Sequence, residues 1–258
     1  MESEKAYMTL YAEYLTHQGR TIDKWTHYFP VYETHFARYV NRPVTFLEIG
    51  CGAGGSLQLW KRYLGPLAQI VGIDINENCT TFEEEQIAVR IGDQKDTKFL
   101  NQVVEEFGMP DVVLDDGSHM MADMTASFSY LYPRISPSGL YVVEDLHTAY
   151  WSEFGGGVAA DGSFLKLCKS LIDELNAYHT RDQVPITDFT KSTLSMHFYD
   201  CMVVFERGRH LKSSNLRTGM TFKKFWKNAL PKLYCPRSGT IWYAFRDCYN
   251  RKPTRTRN

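Results

Sequence analysis

Val112-Val113-Leu114-Asp115-Asp116-Gly117-Ser118-His119 is a short apolar run that breaks off into two acids, a glycine and a histidine. A second stretch repeats the pattern: Leu140-Tyr141-Val142-Val143 runs into Glu144-Asp145-Leu146-His147. Runs this short, rich in β-branched residues and bounded by turn signals, read as strands buried on both faces. Such strands belong to open parallel sheets, where ligands collect in the crevice beyond the carboxyl ends. Both acidic turns stand at such ends. If the two strands are neighbours, their ends lie about 4.8 Å apart, and three carboxylates and an imidazole converge. That set suits a hard divalent cation with a base beside it.

Outward from these two strands, the chain alternates. A strand over 44–49 leads into a glycine-rich turn and a helix over 56–64. Strands follow at 70–75 and 88–91, helices at 96–107 and 121–132, the two quoted strands between and after them, and a helix at 164–178. This βαβα succession predicts a parallel sheet with helices on both faces. The pattern then changes: 193–199 and 202–206 read as two strands joined by a tight turn at Asp200-Cys201. The fold class is therefore α/β, a mostly parallel seven-stranded sheet closed by an antiparallel hairpin. That is the Rossmann-like arrangement of class I methyltransferases, whereas a dehydrogenase more often continues with a second parallel half.

Glu48-Ile49-Gly50-Cys51-Gly52-Ala53-Gly54-Gly55 sits between the first strand and its helix. Its glycines permit a tight turn and close approach of backbone to ligand. Gly50, Gly52 and Gly55 also satisfy the dinucleotide spacing, so a nicotinamide cofactor stays open. Asp74 ends the second strand, where an acid takes a ribose hydroxyl pair in either case. Two features favour S-adenosylmethionine. Glu48 would repel a pyrophosphate but tolerates an aminoacyl sulfonium cofactor, and Asp93-Gln94 ends the third strand, where an acid can accept from an adenine amino group.

The chain has 258 residues, 43% apolar and 23% charged, ordinary for a globular protein with a sizeable core. Six scattered cysteines with no CxxC pair fit reduced thiols better than a disulfide framework or a zinc site. The first residues lack the succession of a secretory signal, and no apolar run reaches membrane-span length, so a cytoplasmic enzyme is expected. The formal charge of −1 conceals an asymmetry: residues 205–258 hold fourteen Lys or Arg against Glu206 and Asp247, a net of +12, leaving −13 for the rest. Three regions follow: a helical, aromatic segment at 1–40, with helical spacing of Tyr7, Leu10, Tyr11 and Leu15, a cofactor-binding domain at 41–206, and a basic extension at 207–258. The extension could meet an anionic carrier or a membrane surface, Phe222-Lys223-Lys224-Phe225-Trp226-Lys227 having the spacing of an interfacial helix. Nucleic acid is the weakest partner, for no binding motif accompanies the charge. The aromatic N-terminal segment makes a homo-oligomer plausible.

Asp23-Lys24-Trp25-Thr26-His27-Tyr28-Phe29-Pro30-Val31-Tyr32, LEIGCGAGGSLQLW, GIDI, IGDQKD, LDDGSH and YVVEDLHTAYW together resemble the metal-dependent O-methyltransferases of macrolide antibiotic sugars, mycinamicin and tylosin type, a pattern shared with cephalosporin hydroxylase-like proteins. The resemblance spans about residues 23–206. It implies magnesium ligands at Asp116, Glu144 and Asp145, a general base at His119, and cofactor contacts from Glu48, Gly50, Asp74, Asp93 and Asp115, with Gly52 and Gln94 in the same turns. It implies methyl transfer from S-adenosylmethionine to a sugar hydroxyl, whose alcohol-like pKa calls for metal coordination and a base. Rival readings are a catechol or other vicinal-diol methyltransferase, a nicotinamide-dependent oxidoreductase and a non-catalytic binding protein. Tyr150 and Trp151 either line an acceptor pocket or pack a loop, His147 reads as structural, and Gly155-Gly156-Gly157 suggests a mobile segment over the site.

Overall fold

Apolar strands of four to seven residues form one sheet in the computed structural model, which describes residues 9–219. The chain divides into two units, 1–212 and 213–258, and the fold is that of the first. Tyr7 and the 222–227 helix lie outside the described residues. The strands are β1 (Thr45–Ile49), β2 (Gln69–Asp74), β3 (Ile87–Ile91), β4 (Val112–Asp115), β5 (Leu140–Val143), β6 (Thr193–Tyr199) and β7 (Met202–Arg207), in the order β3-β2-β1-β4-β5-β7-β6. The first five are parallel, β7 is antiparallel to β5 and β6 to β7. The order reverses between β1 and β4, which opens the crevice there.

Alternation along each strand divides the interior into two layers. Phe46, Val112, Leu114, Val142 and Val204 face α1 (Leu10–Leu15), α2 (Phe29–Phe36) and α3 (Gly55–Leu64), with Trp60 fully buried among them. Leu47, Ile49, Val113, Tyr141, Val143 and Phe205 face α4 (Thr97–Phe107), α5 (Met121–Leu131) and α6 (Phe164–Leu175). Burying each such side chain contributes roughly 1.5–3 kcal/mol. Asp96 caps α4 by accepting from the backbone N–H of Lys98 and Phe99, and Ser163 caps α6 through Lys166.

The sequence reading runs α6 to 178, but the helix stops at Leu175, where Asn176 caps it, and Ala177–His179 forms a 3-10 turn. It also misses α2 and α7 (Asp188–Ser192). In α2, Pro30 sits in the first turn, where a missing N–H costs nothing, and aromatic residues on several sides obscure the period. Among the described residues no helix is long and apolar enough to cross a membrane, and Cys51, Cys79, Cys168 and Cys201 are free.

His35 on α2 donates or accepts at the Tyr199 hydroxyl, 2.9 Å away, beside the His197 ring at 5.0 Å. Burial pushes its imidazole down to about 4, with His197 and Arg38 adding to the effect and Glu206 opposing it. Below the unfolded value of about 6.5 the unfolded chain takes up a proton that the native state refuses, so stability falls as pH falls toward 4. Between pH 7 and 5 this costs about 1–2 kcal/mol. In urea titrations His35→Asn should flatten that part of the pH dependence, and equal slopes in both proteins would refute the assignment.

Candidate functional site

Strand register decides which acids meet. Glu48 pairs with Leu114, and Asp115 with Val143. The ladder continues one residue further: Asp116 N–H donates to the Ile49 carbonyl at 2.9 Å and Glu144 N–H to the Asp115 carbonyl at 3.0 Å. Paired positions share a face, so Glu48, Asp116 and Glu144 project toward α1–α3 while Asp115 projects to the opposite layer. Asp145 would also point away, but its backbone turns left-handed, with φ of 54°. Its carboxylate thereby returns to the front, where the Tyr28 hydroxyl donates to Oδ1 at 2.7 Å and accepts from the Asp145 N–H at 3.2 Å.

His119 also has a left-handed backbone, with φ of 57°, which turns its ring between the two acidic ends. Its Nε2 lies 3.7 Å from Asp116 Oδ1 and 3.6 Å from Asp145 Oδ2. One ligand atom each from Asp116, His119 and Asp145 falls within 4.8 Å of the others. The Thr148 hydroxyl staples the turns, lying 2.8 Å from the Asp145 carbonyl and 3.3 Å from that of His119.

Behind this front lies a buried charge network. The Lys24 ammonium, 3% exposed, donates to Asp116 Oδ2 and to Glu144 Oε2 at 2.9 Å, and stands 3.7 Å from Glu48 Oε1. Burial disfavours its charge, but Asp116, Glu144 and Glu48 outweigh that and hold its pKa well above the ordinary value. Tyr32 donates its hydroxyl to Glu144 Oε1. Burial pushes Glu144 up to about 8 and Glu48 up to about 7, with Lys24 opposing in both. Glu48 Oε2 accepts from Ser56 at 2.9 Å, whereas its buried Oε1 makes no hydrogen bond and meets the Lys24 ammonium at 3.7 Å.

The glycine loop closes over the same end of the sheet. At Gly50, with φ of 90°, a Cβ would stand 2.2 Å from the Asp116 carbonyl oxygen, so only glycine lets the loop approach that turn. Gly52 faces open space. Asp74 accepts from the Cys51 N–H at 2.8 Å and the Asn76 N–H at 2.9 Å, which ties the loop to the end of β2. Asp93 stands part-exposed at the end of β3, its carboxyl held below the usual range by the Lys95 N–H and ammonium.

Three predicted site residues have structural partners of their own, and one expectation changes. Asp115 is 1% exposed and accepts from Ser127 at 2.7 Å, Tyr141 at 3.0 Å and Gln94 at 3.2 Å, so it braces the far side of the sheet. Gln94 is likewise committed, accepting from the Ser118 N–H at 2.8 Å while donating to Asp115. Glu144 shares the Lys24 ammonium with Asp116 and accepts from Tyr32, one step behind the converging atoms of Asp116, His119 and Asp145. Gly155-Gly156-Gly157 is no free lid: their N–H groups bond to the carbonyls of Ser152, Trp151 and Ala149, and a Cβ on Gly156 would sit 2.4 Å from the Ala149 oxygen. Asp115→Ala should therefore cost about 2–4 kcal/mol in urea unfolding, since three buried donors lose their acceptor, with cofactor affinity unchanged. A large loss of that affinity at constant stability would restore the first reading.

Lys24, Tyr28 and Tyr32 escaped the residue-level reading. Lys24 precedes the 3-10 turn Thr26–Tyr28 that Tyr28 ends, and Tyr32 lies on α2, so no single helical period marks the three. At the rim, the His147 ring lies 4.8 Å from Trp151 and 5.6 Å from Trp25, forming a half-exposed aromatic cluster. Tyr150 lines a cavity of about 240 Å³ with Phe198 and Ile172.

No family model matches the chain. Mycinamicin VI 2''-O-methyltransferase of Micromonospora griseorubida is 38% identical over 200 residues, covering 71% of this chain and 49% of that protein. Demethylmacrocin O-methyltransferase of Streptomyces fradiae is 36% identical over 211 residues, covering 77% and 52%. The solved structure of the MycE methyltransferase from the mycinamycin biosynthetic pathway, in complex with Mg, SAH and mycinamycin VI, matches with a TM-score of 0.65 at 37% identity, covering 73% of this chain and 51% of that one. The chain thus spans about half the length of the curated relatives it matches. Across that shared half, the chain is homologous to the macrolide-sugar O-methyltransferases and has their Rossmann-like methyltransferase fold.

Proposed function

We propose that the chain is an O-methyltransferase that uses S-adenosylmethionine and magnesium to methylate a hydroxyl of a sugar in a glycosylated metabolite or polysaccharide. The observation that carries this is the convergence of Asp116, His119 and Asp145 at the crevice beside the glycine loop. The donor set fits the groups invoked. The carboxylates of Asp116 and Asp145 at a part-exposed front suit an oxygen-seeking dication that keeps some of its water, and they leave the His119 imidazole beside it as the base. Glu48 Oε1, which accepts no hydrogen bond and has the Lys24 ammonium 3.7 Å away, suits the ammonium of an aminoacyl cofactor. Charge agrees: Glu48, Asp116, Glu144 and Asp145 against Lys24 leave three formal negative charges, which a dication and a cationic sulfonium offset.

When bound, the cofactor supplies an activated methyl and the cation polarises the acceptor hydroxyl. The left-handed backbone at His119 sets its ring between Asp116 and Asp145, and its Nε2 takes the acceptor's proton. Tyr28 holds Asp145 in place, while Lys24 and Tyr32 hold Glu144. Asp74 keeps the glycine loop at the end of β2, and the Trp25–His147–Trp151 cluster offers aromatic faces to a sugar ring. The methyltransferase domain is assigned to 41–206, residues 1–40 adding Lys24 and the two tyrosines. The basic 207–258 stretch is left for an anionic carrier or membrane surface.

The test is calorimetric titration with S-adenosylhomocysteine, with and without magnesium, followed by an acceptor screen. Micromolar binding and magnesium-dependent methylation of a glycoside are expected. No binding in either condition, or binding of a nicotinamide cofactor instead, would overturn the proposal. Methylation of catechols but no glycoside would change the acceptor class alone.

A further inference from the structure

Where the glycine loop meets the end of β2 lies a second converging group. Cys51 Sγ, Cys79 Sγ and an Asp74 carboxylate oxygen all fall within 4.8 Å of one another. Both thiols are enclosed, at 2% and 1% exposure. Cys51 Sγ fits only because residue 72 is glycine, where a Cβ would stand 2.6 Å from the sulfur. Cys79 Sγ points at the Gly52 carbonyl oxygen, 3.9 Å away. The three groups therefore touch the loop and the acid on which the proposed cofactor site depends.

The donor chemistry differs from that of the front. Two sulfurs and one oxygen suit a thiophilic dication such as zinc or cadmium, while magnesium prefers oxygen alone. We propose that Cys51, Cys79 and Asp74 form a thiophilic-metal site whose occupation excludes the cofactor. Binding forms two metal–sulfur bonds and one metal–oxygen bond, and the two thiol protons leave to solvent. Burial pushes the Cys79 thiol up to about 11 and the Cys51 thiol higher still, so the metal must displace those protons and affinity rises with pH. Metal–sulfur bonds of about 2.3 Å draw the sulfurs inward. Cys79 can follow, because it stands in the 3-10 turn Glu77–Phe82, where Asn78 and Thr80 on either side are exposed. The Asp74 oxygen is then spent on the metal and no longer anchors the Cys51 N–H or a ribose.

The exclusion half rests on the proposed function, whereas the metal site stands without it. Cadmium is titrated into reduced full-length protein while the ultraviolet thiolate-to-cadmium charge-transfer absorption is followed. One equivalent should produce the band in the wild type and in Cys168→Ala, and the band should disappear in Cys51→Ala and in Cys79→Ala. Cys79→Ser, close to isosteric, replaces any alanine variant whose melting shows it unfolded. Absence of the band in the wild type, or its survival in both the Cys51 and Cys79 variants, would overturn the site. Saturating S-adenosylhomocysteine should weaken cadmium binding at least about tenfold, a difference of about 1.4 kcal/mol. Simultaneous binding of both without mutual weakening would overturn the exclusion. A cadmium band in a protein that binds no S-adenosylhomocysteine would sink the cofactor reading and leave the metal site intact.

Discussion

His119→Asn is expected to lower turnover by about 10²–10⁴-fold, the usual contribution of a positioned general base, while S-adenosylhomocysteine affinity stays within about twofold, well under 1 kcal/mol. The choice of asparagine follows from the backbone. At φ of 57°, asparagine is among the few residues that adopt the left-handed region readily, whereas alanine would add strain of roughly 1–2 kcal/mol and blur the result. The ring stands between Asp116 and Asp145, and neither the glycine loop nor Asp74, which accepts from the Cys51 N–H, is among its ion-pair partners. Its removal deletes a proton acceptor without touching the proposed cofactor anchors. Single-turnover rates and calorimetry on the same variant separate the two effects. Turnover within threefold of wild type would remove His119 from the chemistry, and a matching fall in cofactor affinity would make it a structural residue.

Much of this arrangement was legible because it is local. An apolar run followed by an acidic or glycine-rich turn identifies a strand and the end that matters, so β1, β4, β5 and the hairpin follow from the sequence. The adjacent pair Asp115-Asp116 shows where local reading stopped short. Strand alternation sends neighbours to opposite faces, and only Asp116 shares a face with Glu48; Asp115 goes to Ser127 and Tyr141. At Glu144-Asp145 the alternation is broken by a left-handed non-glycine residue, which no composition rule anticipates. Gly155–Gly157 shows the ambiguity of glycine itself, which serves a hinge and a close backbone approach equally well. Lys24, Tyr28 and Tyr32 join acids more than eighty residues away in sequence, and such pairings become visible only once the fold is known.

Lys24→Met should be the most destabilising single change at the site. The ammonium bonds Asp116 and Glu144 and stands beside Glu48, with Lys24, Glu48 and Glu144 buried and Asp116 part-exposed. Methionine fills much the same volume, so the loss is one of charge rather than packing. Removing one partner from a buried ionic network costs about 3–5 kcal/mol, because the remaining charges stay desolvated and repel one another. For a chain of this size that corresponds to a melting temperature lower by about 6–20 °C. Magnesium supplies a substitute for the missing charge. If the cation binds at Asp116, a ligand that favours the native state stabilises it by mass action, and the variant, with one cation fewer inside, should gain more from it than the wild type does. Thermal melts of both proteins with and without magnesium read this directly. A variant that melts within a degree or two of wild type would show that the carboxylates need no counter-ion. A large loss that magnesium leaves untouched would show that Lys24 holds the fold together without sharing its acids with a metal.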